Sequence, residues 1–183
     1  MQKLKKKLPL QMIFIGVFLL VGICGLILSF FSGDKPFSQA AEQVPALAAE
    51  IRKAYQTKSN YWGLNTDTIL QNKIAPLSMN SKNGLQNALG KKVLVGSGVN
   101  GDTVMPGGRS FDVVYIGLNK KECVALASYA FDEQNTLGLN HIALFVDQKE
   151  YVFGWSGEPH LPISSQIAAK YCGMENTLLF NYE

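Results

Sequence analysis

The sequence predicts an α+β fold. An N-terminal transmembrane helix continues into an amphipathic spine helix, which packs on an antiparallel sheet. Three observations carry this reading. An uncharged stretch runs from Leu8 to Gly33. Apolar residues then recur at helical spacing as far as about Thr57. Later strand-like segments are interrupted irregularly by helices, unlike the βαβ alternation of a parallel sheet.

Composition narrows the possibilities. Of 183 residues, 47% are hydrophobic and 17% charged, which excludes a disordered chain. Lys and Arg number 17 against 14 Asp and Glu, a formal net charge of +3. Lys3, Lys5, Lys6 and Lys7 all precede the apolar run, and no acid comes before Asp34. Removing those four leaves 13 basic residues against 14 acidic ones, a net of −1. A basic chain would ordinarily raise nucleic acid as a partner. Here the excess sits in one tail, so no nucleic acid is expected on the globular part. About 150 residues remain beyond the tail and apolar run, enough for one domain with its own core.

The elements follow in order. Residues 1–11 form a basic tail, 12–32 a transmembrane helix, 33–58 an amphipathic spine helix and 59–183 a globular domain. Met12 to Phe31 supplies about the 20 apolar residues that a bilayer-spanning helix needs. A cleaved signal peptide would have a shorter apolar region ending at small residues, whereas Ser29-Phe30-Phe31-Ser32 places two rings there. Lys5, Lys6 and Lys7 lie directly before the span, so the positive-inside rule puts the N-terminus in the cytoplasm. The domain then faces the periplasm or exterior of a bacterial inner membrane. Cys24, inside the span, reads as a small apolar filler.

In the spine, Val44, Leu47, Ala48, Ile51, Ala54 and Tyr55 share one face, and Pro45 predicts a kink. Ser59 to Asn87 reads as a loop with a short helix near Leu64 to Ile74. Lys92 to Gly96 and Ser110 to Leu118 read as strands, separated by turn signals at Gly98 to Asp102 and at Pro106-Gly107-Gly108. Asn119 with Glu122 has the spacing of a capping box, and a helix is predicted as far as about Tyr129. His141 to Val146 and Tyr151 to Phe153 are strands about Asp147-Gln148-Lys149. Ser164 or Ser165 caps a last helix through Tyr171, and Thr177 to Tyr182 is a terminal strand.

Two cysteines lie outside the span, Cys123 and Cys172. In an oxidising compartment an isolated pair is usually a disulfide. Closing a loop of 49 residues would stabilise the fold by about 4 kcal/mol in the chain-entropy model. A membrane-tethered hydrolase using Cys123 and His141 is the alternative, since a cysteine at a helix start has a lowered thiol pKa. Against it, only one helix and one strand fit between them, and Cys172 has no role in that scheme. A periplasmic binding or adhesion module near Trp155 is a third possibility. His160 reads as solvated. The cysteine and histidine spacing fits no zinc site, so no metal, cofactor or small-molecule substrate is expected.

The assembly of these features resembles the type IVb pilins, in particular the PilS-like kind of conjugative and enterobacterial pili. Leu47-Ala-Ala-Glu-Ile51-Arg-Lys-Ala-Tyr55 with Tyr61 is similar to the end of a pilin spine helix. Leu85-Gln-Asn-Ala-Leu-Gly90-Lys-Lys-Val93-Leu-Val95 is similar to the lead-in to the first strand. Gly117-Leu-Asn-Lys-Lys-Glu-Cys123-Val-Ala-Leu126-Ala resembles the strand-to-helix step that bears the first family cysteine. Ile167-Ala-Ala-Lys-Tyr-Cys172, then Glu175-Asn-Thr-Leu-Leu-Phe180, resembles the second cysteine and last strand. The resemblance covers roughly Ala40 onward. It departs at Lys7-Leu8-Pro9-Leu10-Gln11-Met12, which lacks the glycine before a pilin's processed residue. The apolar run also lacks the pilin glutamate. The resemblance implies a structural, non-enzymatic subunit or accessory component of a pilus or related secretion or conjugation machine. Its partners would be other pilin or secretion-machine subunits and the lipid bilayer, with Leu47, Ile51 and Tyr55 anchoring the rod on the sheet.

Overall fold

A computed structural model describes residues 35–97, 99–100, 103–104, 108–131, 138–155 and 159–183. The basic tail with Lys5, Lys6 and Lys7, and the expected span at 12–32, lie outside the described residues. Among the described residues, no helix is long and apolar enough to cross a membrane.

Helix α1 spans Lys35–Tyr55. Of the expected apolar stripe, Val44, Leu47, Ala48, Ile51 and Tyr55 are all buried, and the buried face extends back to Ala40 and Ala41. Ala54, expected on that face, is exposed. The helix ends one residue later, and Lys58 N–H closes the turn on Tyr55 O at 2.8 Å. Pro45 lies within the helix without ending it.

The expected loop after α1 contains more structure than alternation could show. Helix α2 (Thr66–Gln71) is capped by Asn65, whose side chain accepts from Thr68 N–H at 2.8 Å. Two-residue strands β1 (Asn80–Ser81) and β2 (Gly84–Leu85) pair antiparallel. Strand β3 (Val93–Gly96) follows, and then a hairpin of β4 (Val99–Asn100) and β5 (Thr103–Val104) occupies the first expected turn.

Strand β6 (Phe111–Leu118) leads into α3 (Lys120–Ala127). Gly117, at φ +74°, lies at the register shift between Ile116 and Leu118. A left-handed residue at such a bulge favours glycine, since a side chain there would be strained. The expected capping box is present: Asn119 accepts from Glu122 N–H at 3.0 Å, and Glu122 accepts from Asn119 N–H at 2.7 Å.

Strands β7 (Leu139–Val146) and β8 (Lys149–Gly154) form a hairpin through Asp147 and Gln148. Both turn residues have positive φ, at 48° and 62°, the turn geometry that matches strand twist. Helix α4 (Ser165–Tyr171) is capped by Ser164, and β9 (Asn176–Tyr182) follows.

The main sheet is antiparallel, in the order β3-β6-β9-β7-β8. The last strand in sequence is thus the central one. Its inward residues Leu178, Phe180 and Tyr182 join Val113, Tyr115, Ile142, Leu144 and the α1 stripe in one core. The opposite face carries a smaller apolar row, in which Val114, Leu179 and Ala143 are cross-strand partners.

Candidate functional site

The spine and the disulfide-bounded region make up the candidate site. Leu47 and Ile51 are completely buried and Tyr55 nearly so. Each such aliphatic side chain stabilises the docking of α1 by about 1.5–3 kcal/mol through burial alone. Polar contacts fix the helix's position along the sheet. The buried Tyr115 hydroxyl, on β6, donates to Ala40 O at 2.8 Å. Burial pushes its phenol well above the ordinary pKa, and the neighbouring Tyr182 adds to the shift. At the other end, Arg52 lies 5.6 Å from the Tyr182 ring centroid and donates to Glu183 O. Burial raises Tyr182 as well, and Arg52 partly offsets this.

Sequence patterning missed Gln43. It sits on the apolar stripe, one helical turn before Leu47, and is buried. Its Oε1 accepts from Ala88 N–H at 2.7 Å, and its Nε2 donates to Ser78 Oγ at 3.3 Å. One side chain therefore ties α1 to two points of the following loop. A polar residue within an apolar stripe was the available signal. Beside it lies an open groove of about 450 Å³, lined by Gln39, Glu42, Gln43, Ala46, Pro76, Ser78 and Ala88. Leu77, 87% exposed, lies between two of the lining residues.

Cys123 on α3 and Cys172 at the C-cap of α4 form a disulfide with Cα atoms 5.9 Å apart. Both are buried. The hydrolase alternative fails on this geometry, because Cys123 is no thiol. His141 is also remote: it pairs with Asn181, whereas Leu118, at the Cys123 end of β6, pairs with Asn176. Five residues of strand separate those positions, about 17 Å. Trp155, considered for a binding module, is partly buried, with its indole N–H donated to Leu139 O. It does not line the groove. His160 is exposed beside Gly154. Among the described residues, no cluster of His, Cys, Asp or Glu could hold a metal ion.

A long helix docked on an antiparallel sheet, with its last strand central and a disulfide closing the C-terminal region, defines a structural domain of the pilin class. A model of the Bundlin family matches residues 32–142, more than half of the chain, so the chain belongs to this family of type IVb pilins and is a structural pilin subunit. TcpA, a type IV pilin from Vibrio cholerae El Tor biotype, superposes with a TM-score of 0.54 at 15% identity, covering 81% of this chain and 99% of that one. The type IVb pilin from Salmonella typhi gives 0.50 at 18% identity, covering 82% of this chain and 99% of that one. At these identities the likeness shows the fold. No curated protein matches the chain in sequence.

Proposed function

We propose that this subunit is held in the bacterial inner membrane by residues 12–32, with its N-terminus cytoplasmic and its domain periplasmic. It works by packing, within a type IVb pilus or a related secretion or conjugation machine, and performs no catalysis. The apolar run from Met12 to Phe31 packs laterally with other apolar helices, and Gly16, Gly22 and Gly25 allow close approach. Lys5, Lys6 and Lys7 hold its orientation. Leu47, Ile51 and Tyr55 keep the spine on the sheet, and the Cys123–Cys172 bridge fixes the surface offered to neighbours.

The observation that carries this reading is the buried stripe of α1. It is spent on the domain's own sheet, so contacts with neighbours fall to the apolar run and the outer faces. Intact mass of the protein extracted from membranes tests the anchor. Retention of the lysine tail marks a fixed anchor, and loss near Leu8 marks pilin-type processing. A mass beginning beyond Phe31 would sink the membrane-held reading.

A further inference from the structure

The domain has two ends, marked by the two ends of α1. Ring contacts of Tyr61 with Phe111 and of Phe111 with Tyr182, together with Arg52 over Tyr182, set the start of β6 beside the C-terminal end of α1. The Tyr115–Ala40 hydrogen bond, and Lys121 Nζ at 5.3 Å from the Phe37 ring centroid, set the end of β6 and the start of α3 beside the N-terminal end of α1. At that second end, lysines converge from two distant segments. Lys92 O accepts from Ile116 N–H at 3.0 Å, and Lys91 Nζ lies 3.2 Å from Glu122 Oε2. Lys120 and Lys121 open α3. Glu122 is already engaged by Lys91 and by Asn119 N–H.

Among the described residues, Lys92, Lys120 and Lys121 form no ion pair, and all three are exposed. The other acids of this end are Glu42 on α1, Glu175 just before the central strand β9, and Asp147 and Glu150 in the β7–β8 hairpin at the other edge of the sheet. Met174, 88% exposed, adds an apolar side chain next to Glu175 in the chain.

We propose that this end of the domain docks on anionic phospholipid headgroups. Lys92, Lys120 and Lys121 are the contacts, and Met174 enters the interfacial layer. The inference rests on the membrane-anchored reading above. Four residue steps separate Ser32, the end of the expected span, from Pro36 in the first turn of α1, a reach of at most about 14 Å. The C-terminal end of α1 lies about 30 Å from its first turn along the helix of 21 residues. A tether of this length keeps the lysine-bearing end within reach of the headgroups. Charge complementarity with an anionic leaflet then holds it, within a Debye length of the surface.

Lysine acetylation by a water-soluble reagent, read by mass spectrometry, tests this on the full chain. It is compared in bilayers of phosphatidylcholine alone and of phosphatidylcholine mixed with phosphatidylglycerol. In the anionic bilayer at low salt, Lys92, Lys120 and Lys121 should react about fivefold more slowly, and molar salt should abolish the difference. Lys53 and Lys58, at the other end, should be unchanged. Equal rates in the two bilayers would overturn the proposal. So would slowing that is the same in both and indifferent to salt, which marks a protein contact instead. Carbonate extraction of the same samples separates the two failures. A chain retained in the bilayer with equal rates removes this inference alone, whereas a chain stripped from it removes the anchored reading too.

Discussion

The disulfide-bounded region from Cys123 to Cys172 and the loop between α1 and β3 share one core but are held by different means. In the first, long strands β7 and β8 pair in register, β9 follows directly into the sheet centre, and a covalent bridge joins α3 to α4. In the second, the strands are two residues long, and the chain is held by the buried side chains of Leu64, Ile69, Met79 and Leu85 together with caps, turns and the paired contacts of Gln43. Ladders and a covalent link share load over many groups. The loop has no long ladder to share the load, so loss of one polar tie should be felt locally.

The largest expected effect comes from breaking the covalent side of this contrast. Replacing Cys123 and Cys172 together with alanine should cost about 4 kcal/mol of unfolding free energy, measured by urea denaturation. A loss below about 1 kcal/mol would show that the ladders alone carry the region. Next comes Ile51→Ala, which removes a fully buried side chain from the helix that both regions share. It should cost about 3 kcal/mol and loosen both regions together.

Gln43→Ala sharpens the contrast because its effect should stay local. Loss of two hydrogen bonds should weaken the loop by about 2 kcal/mol. Hydrogen exchange would show this as faster exchange at Ala88, while amides of β7 and β9 stay protected. Uniform acceleration across the sheet would contradict the division. The smallest effect expected from a substitution is Asn119→Ala, about 1 kcal/mol from the lost cap of α3.

The pH dependence has a definite sign. Tyr115 and Tyr182 are both raised above the ordinary phenol value by burial. Their contribution is complete below about pH 10, the unfolded value, and is lost as pH rises toward the folded one. Stability should therefore fall on the alkaline side of about pH 10, and Tyr115→Phe should flatten that fall. A stability that is level through that range would contradict the burial of these phenols.

The same contrast governs what the sequence could disclose. The α1 stripe, the Asn119–Glu122 capping box and the alternation in Phe111–Leu118 are local patterns, and each element lies where it was expected. The pairs β1–β2 and β4–β5 are too short for any period to register. The central place of β9 is set by pairings with β6 and β7 that no local pattern encodes. Ala54 was misplaced because helical spacing says nothing of where the sheet stops covering the helix. Gln43 was legible only as an exception to its stripe. The lysine cluster at the start of α3 is hidden in the sequence because the domain's net charge of −1 averages it away. Its members meet only when β3 pairs with β6.

On the function proposed above, the domain works by contact with other subunits while its spine stays committed to its own sheet. Photo-crosslinkers placed singly at Glu42, Ala46 and Ala49, on the exposed side of α1, test it most directly in cells producing the full machine. Adducts with other pilus or secretion components, or with further copies of this chain, are expected. Recovery of monomer alone from every position would contradict it.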